Sequence, residues 1–259
     1  MRVVVKVGTS TLAYSTGGLN IRRVEEFCRV LSDLKNAGHE IVLVSSGAIA
    51  MGVGKLSLKE KPQDVPTKQA AAAVGQCELM YTYDKLFAEH NHTVAQLLLT
   101  GDDFSHEDRY CNFKNTMMKL LEMNVLPIIN ENDTIATAEI KVGDNDTLSA
   151  MVAASIKADM LILISDIDGL YTADPHLDPQ ATLINEISSL TDEIMSMGGG
   201  SNTNLGTGGM KTKLNAAKIC CDAGSDMWII NGNDPSLLYD VIDGKSVGTH
   251  FIASQKGIL

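Results

Sequence analysis

Carboxylates, amides and lysines cluster at the ends of apolar runs in this sequence, a placement suited to moving a charged group. The densest cluster spans residues 130–146. There Val125-Leu126-Pro127-Ile128-Ile129 leads into Asn130-Glu131-Asn132-Asp133-Thr134, and Gly143-Asp144-Asn145-Asp146 follows. An uninterrupted apolar run bounded by turn residues is the signature of a buried strand, and open parallel sheets bind ligands beyond the carboxyl ends of their strands. Turn formation alone would also explain Asn, Asp and Gly here, so the weight falls on matching parts elsewhere. Arg2-Val3-Val4-Val5-Lys6-Val7 is a β-branched run with a lysine near its end, followed by Gly8-Thr9-Ser10. An ammonium in such a strand costs several kcal/mol to desolvate unless an anion or carboxylate meets it; the alternative is a snorkelling edge lysine. Two more apolar runs end in Ser45-Ser46-Gly47-Ala48 and in Ser165-Asp166-Ile167-Asp168-Gly169. Finally, Gly206-Thr207-Gly208-Gly209 enters Met210-Lys211-Thr212-Lys213, a good helix start. A glycine-rich loop entering a helix with lysines in its first turn can cradle a polyphosphate, although no Walker A sequence is present.

Lys6 and Lys213, several N–H-rich turns, and Asp133, Asp146 and Asp166 make up the set that phosphoryl transfer requires. That reaction depends on positioning and on neutralising charge spread over the transferred group. No G-x-S-x-G elbow occurs, and none of the six histidines falls in the polar strand ends. Hydrolase and histidine acid-base chemistry are both weakened by this.

The elements that must position these groups alternate. Asn20 is placed to cap a helix whose apolar positions Ile21, Val24, Phe27, Val30, Leu31 and Leu34 keep helical spacing, with Gly38 closing it. Strand, helix, strand over residues 2–44 predicts a parallel pair with a right-handed crossover. Residues 55–64 form a polar, lysine-rich connection able to cover a site or reach a neighbouring subunit. Helices are predicted over about 66–89, 105–122 and 147–158, and strands over 93–100, 160–164 and 226–230. His90 and His92 read as a solvated loop, and the six glycines of residues 196–209, taken alone, as a flexible linker. The whole chain of 259 residues is expected to be one domain.

The longest apolar runs are far too short to cross a bilayer, and the N-terminus lacks a signal-peptide core, so a cytoplasmic protein is expected. Five cysteines without a C-x-x-C pair are expected to be free, buried thiols. With 32 acidic against 21 basic side chains, the formal charge of −11 repels nucleic acid and anionic membranes. An anionic substrate would need locally placed lysines.

Six segments, in order along the chain, closely resemble the glutamate 5-kinases of the amino acid kinase family. They are Lys6-Val7-Gly8-Thr9-Ser10, Ser45-Ser46-Gly47-Ala48, Asn130-Glu131-Asn132-Asp133, Gly143-Asp144-Asn145-Asp146, Ser165-Asp166 with Gly169-Leu170-Tyr171-Thr172-Ala173-Asp174-Pro175, and Gly206 to Lys213. The resemblance implies a three-layer αβα sandwich on a mainly parallel open sheet, with glutamate in the N-terminal half and ATP in the C-terminal half. It implies transfer of the γ-phosphoryl of ATP to the side-chain carboxylate of L-glutamate, giving glutamyl 5-phosphate for proline synthesis. Lys6 and Lys213 would then neutralise the phosphoryl group, and Asp146 would orient both. Ser46, Asp133 and Asn145 would bind glutamate. Ser165, Asp166, Thr207, Gly208, Gly209, Met210, Lys211, Thr212 and Lys213 would hold the nucleotide with Lys6. Magnesium would travel on ATP oxygens, with no protein ligand named.

The family also implies dimers or tetramers and feedback inhibition by proline. Many bacterial members carry a C-terminal PUA domain, which this sequence is read as lacking, and Ser165 stands where Thr is common. Two alternatives remain open from sequence: another enzyme of the family with a different substrate end, and a catalytically silent amino-acid sensor that kept the glutamate pocket.

Overall fold

A computed structural model describes residues 1–14, 18–60, 62–136, 144–175, 177–199 and 209–253. Their strands are β1 (Arg2–Val7), β2 (Glu40–Ser45), β3 (Val94–Leu99), β4 (Leu126–Glu131), β5 (Met160–Ser165), β6 (Glu186–Ile187), β7 (Asp226–Asn231) and β8 (Thr249–Phe251). They form one sheet in the order β3-β4-β2-β1-β5-β7-β8-β6, parallel except where β7 meets β8. The chain places β2, β3 and β4 on one side of β1, with β3 outermost and β4 inserted between β3 and β2, then returns to place β5 on the other. The strand order therefore reverses beside β1, where open α/β sheets form their ligand crevice.

Strand periodicity assigns the central lysine to a face. Val3, Val5 and Val7 lie in the core cluster beneath α2 (Ile21–Asn36) and α4 (Val65–Ala88), whereas Val4 joins the opposite cluster. Lys6 shares the parity of Val4. It therefore faces α7 (Asn145–Ser155) and α9 (Met210–Asp222), which cover that side with α6 (Glu107–Glu122). The shorter helices are α1 (Thr9–Leu12), α3 (Ala48–Lys55), α5 (Gly101–Ser105), α8 (Asp192–Ser196) and α10 (Leu237–Ile242). Helices on both faces of a mainly parallel sheet give the expected αβα sandwich.

Local signals set the helix boundaries. Asn20 accepts a hydrogen bond from Arg23 N, and Gly38 follows the helix at φ +93°, a left-handed conformation suited to glycine. Asp64 caps α4 by accepting from Thr67 N, with Pro66 in the first turn. The helix predicted from residue 147 starts two residues earlier, because Asp144 acts as its cap and accepts from Thr147 N at 2.8 Å. It also ends earlier, at Ser155, with Lys157 turned to φ 51°. Cys28, Cys220 and Cys221 are buried free thiols, but Cys77 and Cys111 are exposed. Both sit on helices with one buried and one exposed face, α4 and α6, and counting cysteines does not reveal which face each occupies.

Helices α3 and α4 are in backbone contact. A Cβ on Gly75 would lie 1.8 Å from Ala48 O, and one on Gly52 would lie 1.8 Å from Ala71 O. No side chain fits either gap without separating the helices. Gly75→Ala is expected to destabilise the fold by about 3 kcal/mol or more, at or above the upper end of ordinary overpacking. Urea denaturation would measure it, and an unchanged midpoint would show that the pair can move apart freely.

Among the described residues, no helix is long and apolar enough to cross a membrane.

Candidate active site

Three elements converge on one carboxylate. Asp146, in the first turn of α7, is fully buried. Lys6 Nζ from β1 lies 2.6 Å from its Oδ1, and Lys213 Nζ from the first turn of α9 lies 3.1 Å from its Oδ2. Thr212 donates a further hydrogen bond to Oδ2 at 2.9 Å. Both lysine side chains are about nine-tenths buried, at 11% and 9% exposure. Lys6 is therefore a central-strand lysine met by a carboxylate, not an edge lysine reaching for solvent. Burial pushes the Asp146 carboxyl upward, but the two ammoniums outweigh it and hold the group well below the usual carboxylate range. The result is a fixed pair of positive charges at the carboxyl end of β1, where two helix N-termini also point. Such an arrangement can bind and stabilise a phosphoryl group in transfer.

One residue earlier the chemistry changes from charge to amide. Asn145 Nδ2 donates to Ser46 Oγ at 2.7 Å, to Ser45 O at 3.0 Å and to Asn130 Oδ1 at 3.1 Å. This brings the end of β2, the end of β4 and the start of α7 together. Gly47, at φ +101°, turns the chain from β2 into α3, a conformation that favours glycine. Asp133 lies half-buried in the turn after β4. Asp144 is buried beside the cluster. Burial raises its carboxyl, opposed by the Thr147 N–H bond and reinforced by Asp146.

The predicted nucleotide residues lie on the neighbouring elements. Ser165 ends β5 and its hydroxyl reaches Asp166 Oδ1 at 3.2 Å. Gly209 precedes α9 as its cap residue, and Met210, Lys211, Thr212 and Lys213 make its first turn. Thr207 and Gly208, like Gly143, fall outside the described residues.

Sequence reasoning missed the support for the amide end. Gln76 accepts from Asn130 Nδ2 at 2.9 Å, and Tyr83 hydrogen-bonds Ser45 Oγ at 2.9 Å, both from α4. The available signal was spacing, since Ala72, Gln76, Leu79 and Tyr83 form one helical stripe and all four are buried.

Residues 1–231 match the model of the amino acid kinase family. The chain belongs to that family. Curated relatives extend the match over almost the whole sequence. A glutamate 5-kinase of Clostridium tetani is 56% identical over 97% of this chain and 94% of its own length. One from Clostridium perfringens is 50% identical over 98% and 96%. A glutamate 5-kinase of Thermoanaerobacter sp. is 48% identical over all of this chain, which spans 69% of that protein. Two solved structures share the fold at low identity. They are the isopentenyl phosphate kinase of T. acidophilum (TM-score 0.64, 16% identity, covering 97% of this chain and 100% of that one) and the UMP kinase of Ureaplasma parvum (TM-score 0.68, 15%, covering 97% and 98%).

Proposed function

We propose that the chain is a glutamate 5-kinase, transferring the γ-phosphoryl of ATP to the side-chain carboxylate of L-glutamate as the first step of proline biosynthesis. The observation that carries it is the junction at the start of α7. There Asp146, which gathers the two lysines, is covalently next to Asn145, which joins the polar ends of β2 and β4. The sequence relatives named above support the same activity.

In this mechanism the acceptor carboxylate is already ionised at neutral pH, so no general base is required. Glutamate lies across Ser46, Asp133 and Asn145, its ammonium facing the Asp133 carboxylate and its side chain directed at the lysines. ATP lies over Ser165, Asp166, the first turn of α9 from Met210 to Lys213 and the preceding residues Thr207, Gly208 and Gly209. Lys6 and Lys213 bind oxygens of the phosphoryl group, and Asp146 holds both ammoniums in place. Among the described residues no group of three or more His, Cys, Asp or Glu side chains could hold a metal ion, and Asp146 is engaged by cations. This donor set suits a magnesium ion carried on the phosphate oxygens of ATP, where it would neutralise charge on the leaving group. A single domain whose N-terminal half takes glutamate and whose C-terminal half takes ATP, cytoplasmic location, assembly into dimers or tetramers, and inhibition by proline belong to the same proposal.

The test is magnesium-dependent ATP consumption with L-glutamate, L-aspartate, N-acetylglutamate and UMP offered separately, hydroxylamine being present to trap acyl phosphate. Hydroxamate is expected with L-glutamate alone. Turnover with another acceptor instead would assign the chain to a different activity, and silence from folded protein would favour an amino-acid sensor. Within the same assay Asp133→Ala should raise the glutamate KM by about tenfold or more, as loss of a charged partner does, with kcat less affected. A normal KM would remove Asp133 from the glutamate site.

A further inference from the structure

The amide chain behind Asn145 has a direction, and Gln76 sets it. Gln76 is a neutral polar side chain in the apolar stripe of α4, only 7% exposed. Its Oε1 accepts from Asn130 Nδ2 at 2.9 Å, which obliges Asn130 to present its oxygen on the other side. That oxygen accepts from Glu131 N at 2.9 Å and from Asn145 Nδ2 at 3.1 Å. Asn145 thereby spends its N–H groups on Asn130 and the Ser45–Ser46 turn, and its own Oδ1 is left facing the other way. That Oδ1 accepts no hydrogen bond from the described residues. Buried amide oxygens are normally satisfied, so a donor brought by a ligand is what this atom calls for. Reversing Gln76 would reverse the chain, setting N–H against N–H. The backbone contact of Gly75 with Ala48 leaves α4 little room to shift Gln76 relative to the Ser46 turn.

We propose that Gln76 is a positioning residue that fixes the acceptor polarity of Asn145 and so selects a substrate bearing an ammonium. This rests on glutamate being the acceptor substrate, because the ammonium is the only hydrogen-bond donor glutamate offers at neutral pH. Gln76 itself touches no substrate. It acts through Asn130 and Asn145.

The experiment compares the KM of L-glutamate with the inhibition constant of glutarate, which keeps both carboxylates and lacks the ammonium. In the unaltered protein glutamate should be strongly preferred. Gln76→Leu should reduce that preference by about tenfold or more, the scale of one buried hydrogen bond to a charged group, with the ATP KM unchanged. Gln76→Glu, whose carboxylate can still accept from Asn130, should retain the preference. Gln76→Met provides the same comparison in an unbranched side chain if the leucine variant does not fold. An equal weakening of glutamate and glutarate in the Leu or Met variant would overturn the proposal and leave Gln76 a packing role. Absence of glutamate turnover in the unaltered protein would instead overturn the glutamate assignment itself, so the two failures are distinguishable.

Discussion

Replacing Asp146 by Asn is expected to lower kcat about a thousandfold or more, the scale of losing preorganised charge at a reacting group. It is also expected to destabilise the fold by about 3–5 kcal/mol. Both effects have one cause. Lys6 and Lys213 meet at this carboxylate while about nine-tenths buried, and an amide would leave two ammoniums close together in a poorly solvated place. They would repel, swing apart, or lose protons, and each outcome removes positive charge from the path of the phosphoryl group. Asp146 in the folded protein is held below the ordinary carboxylate range. Its contribution to stability is therefore fully present above the unfolded value of about 3.9, and is lost as pH falls through the folded value. The stability gap between the two proteins should be flat around neutrality and close only in acid. Saturating kinetics and urea titrations at several pH values would show this, and a kcat within tenfold of the unaltered protein would mean the lysines hold their places without Asp146.

Lys213→Ala is expected to lower kcat by about two to three orders of magnitude. Lys213 enters from α9 while Lys6 enters from β1, so each remaining lysine keeps its contact with Asp146 when the other is removed. The single losses should be similar, and the double replacement should fall short of their product because both act through one carboxylate. Turnover unchanged in Lys213→Ala would remove that residue from the mechanism.

Much of this was legible in the sequence because it depends on local rules. The runs around Val42 and Ile162 are apolar throughout and that around Val4 is interrupted by Lys6, a pattern expected of strands covered on both faces, and polar residues follow each run. Asn20, Gly38 and Asp64 signalled helix boundaries through their own backbone chemistry. Harder to read was whatever depends on partners distant in sequence. Strand β8 is three residues long and gains its definition by pairing with β7, where His250 meets Trp228, and with β6. The helix α3 carries Gly52 and Gly54, poor helix formers, and is held by contact with α4. Gln76 looked like any helical glutamine, and its meaning comes from Asn130, fifty-four positions away. The lysine and aspartate types could be picked out from spacing; that one carboxylate binds both lysines is a fact of three dimensions.

The most direct test of carboxylate attack on phosphorus uses L-glutamate labelled with oxygen-18 in its side-chain carboxylate. Acyl phosphate formed with ATP and magnesium and then cleaved by hydroxylamine at the acyl carbon should release inorganic phosphate carrying one labelled oxygen per turnover. Phosphate released without label would contradict the mechanism, because the γ-phosphoryl would then have passed to water and not to glutamate.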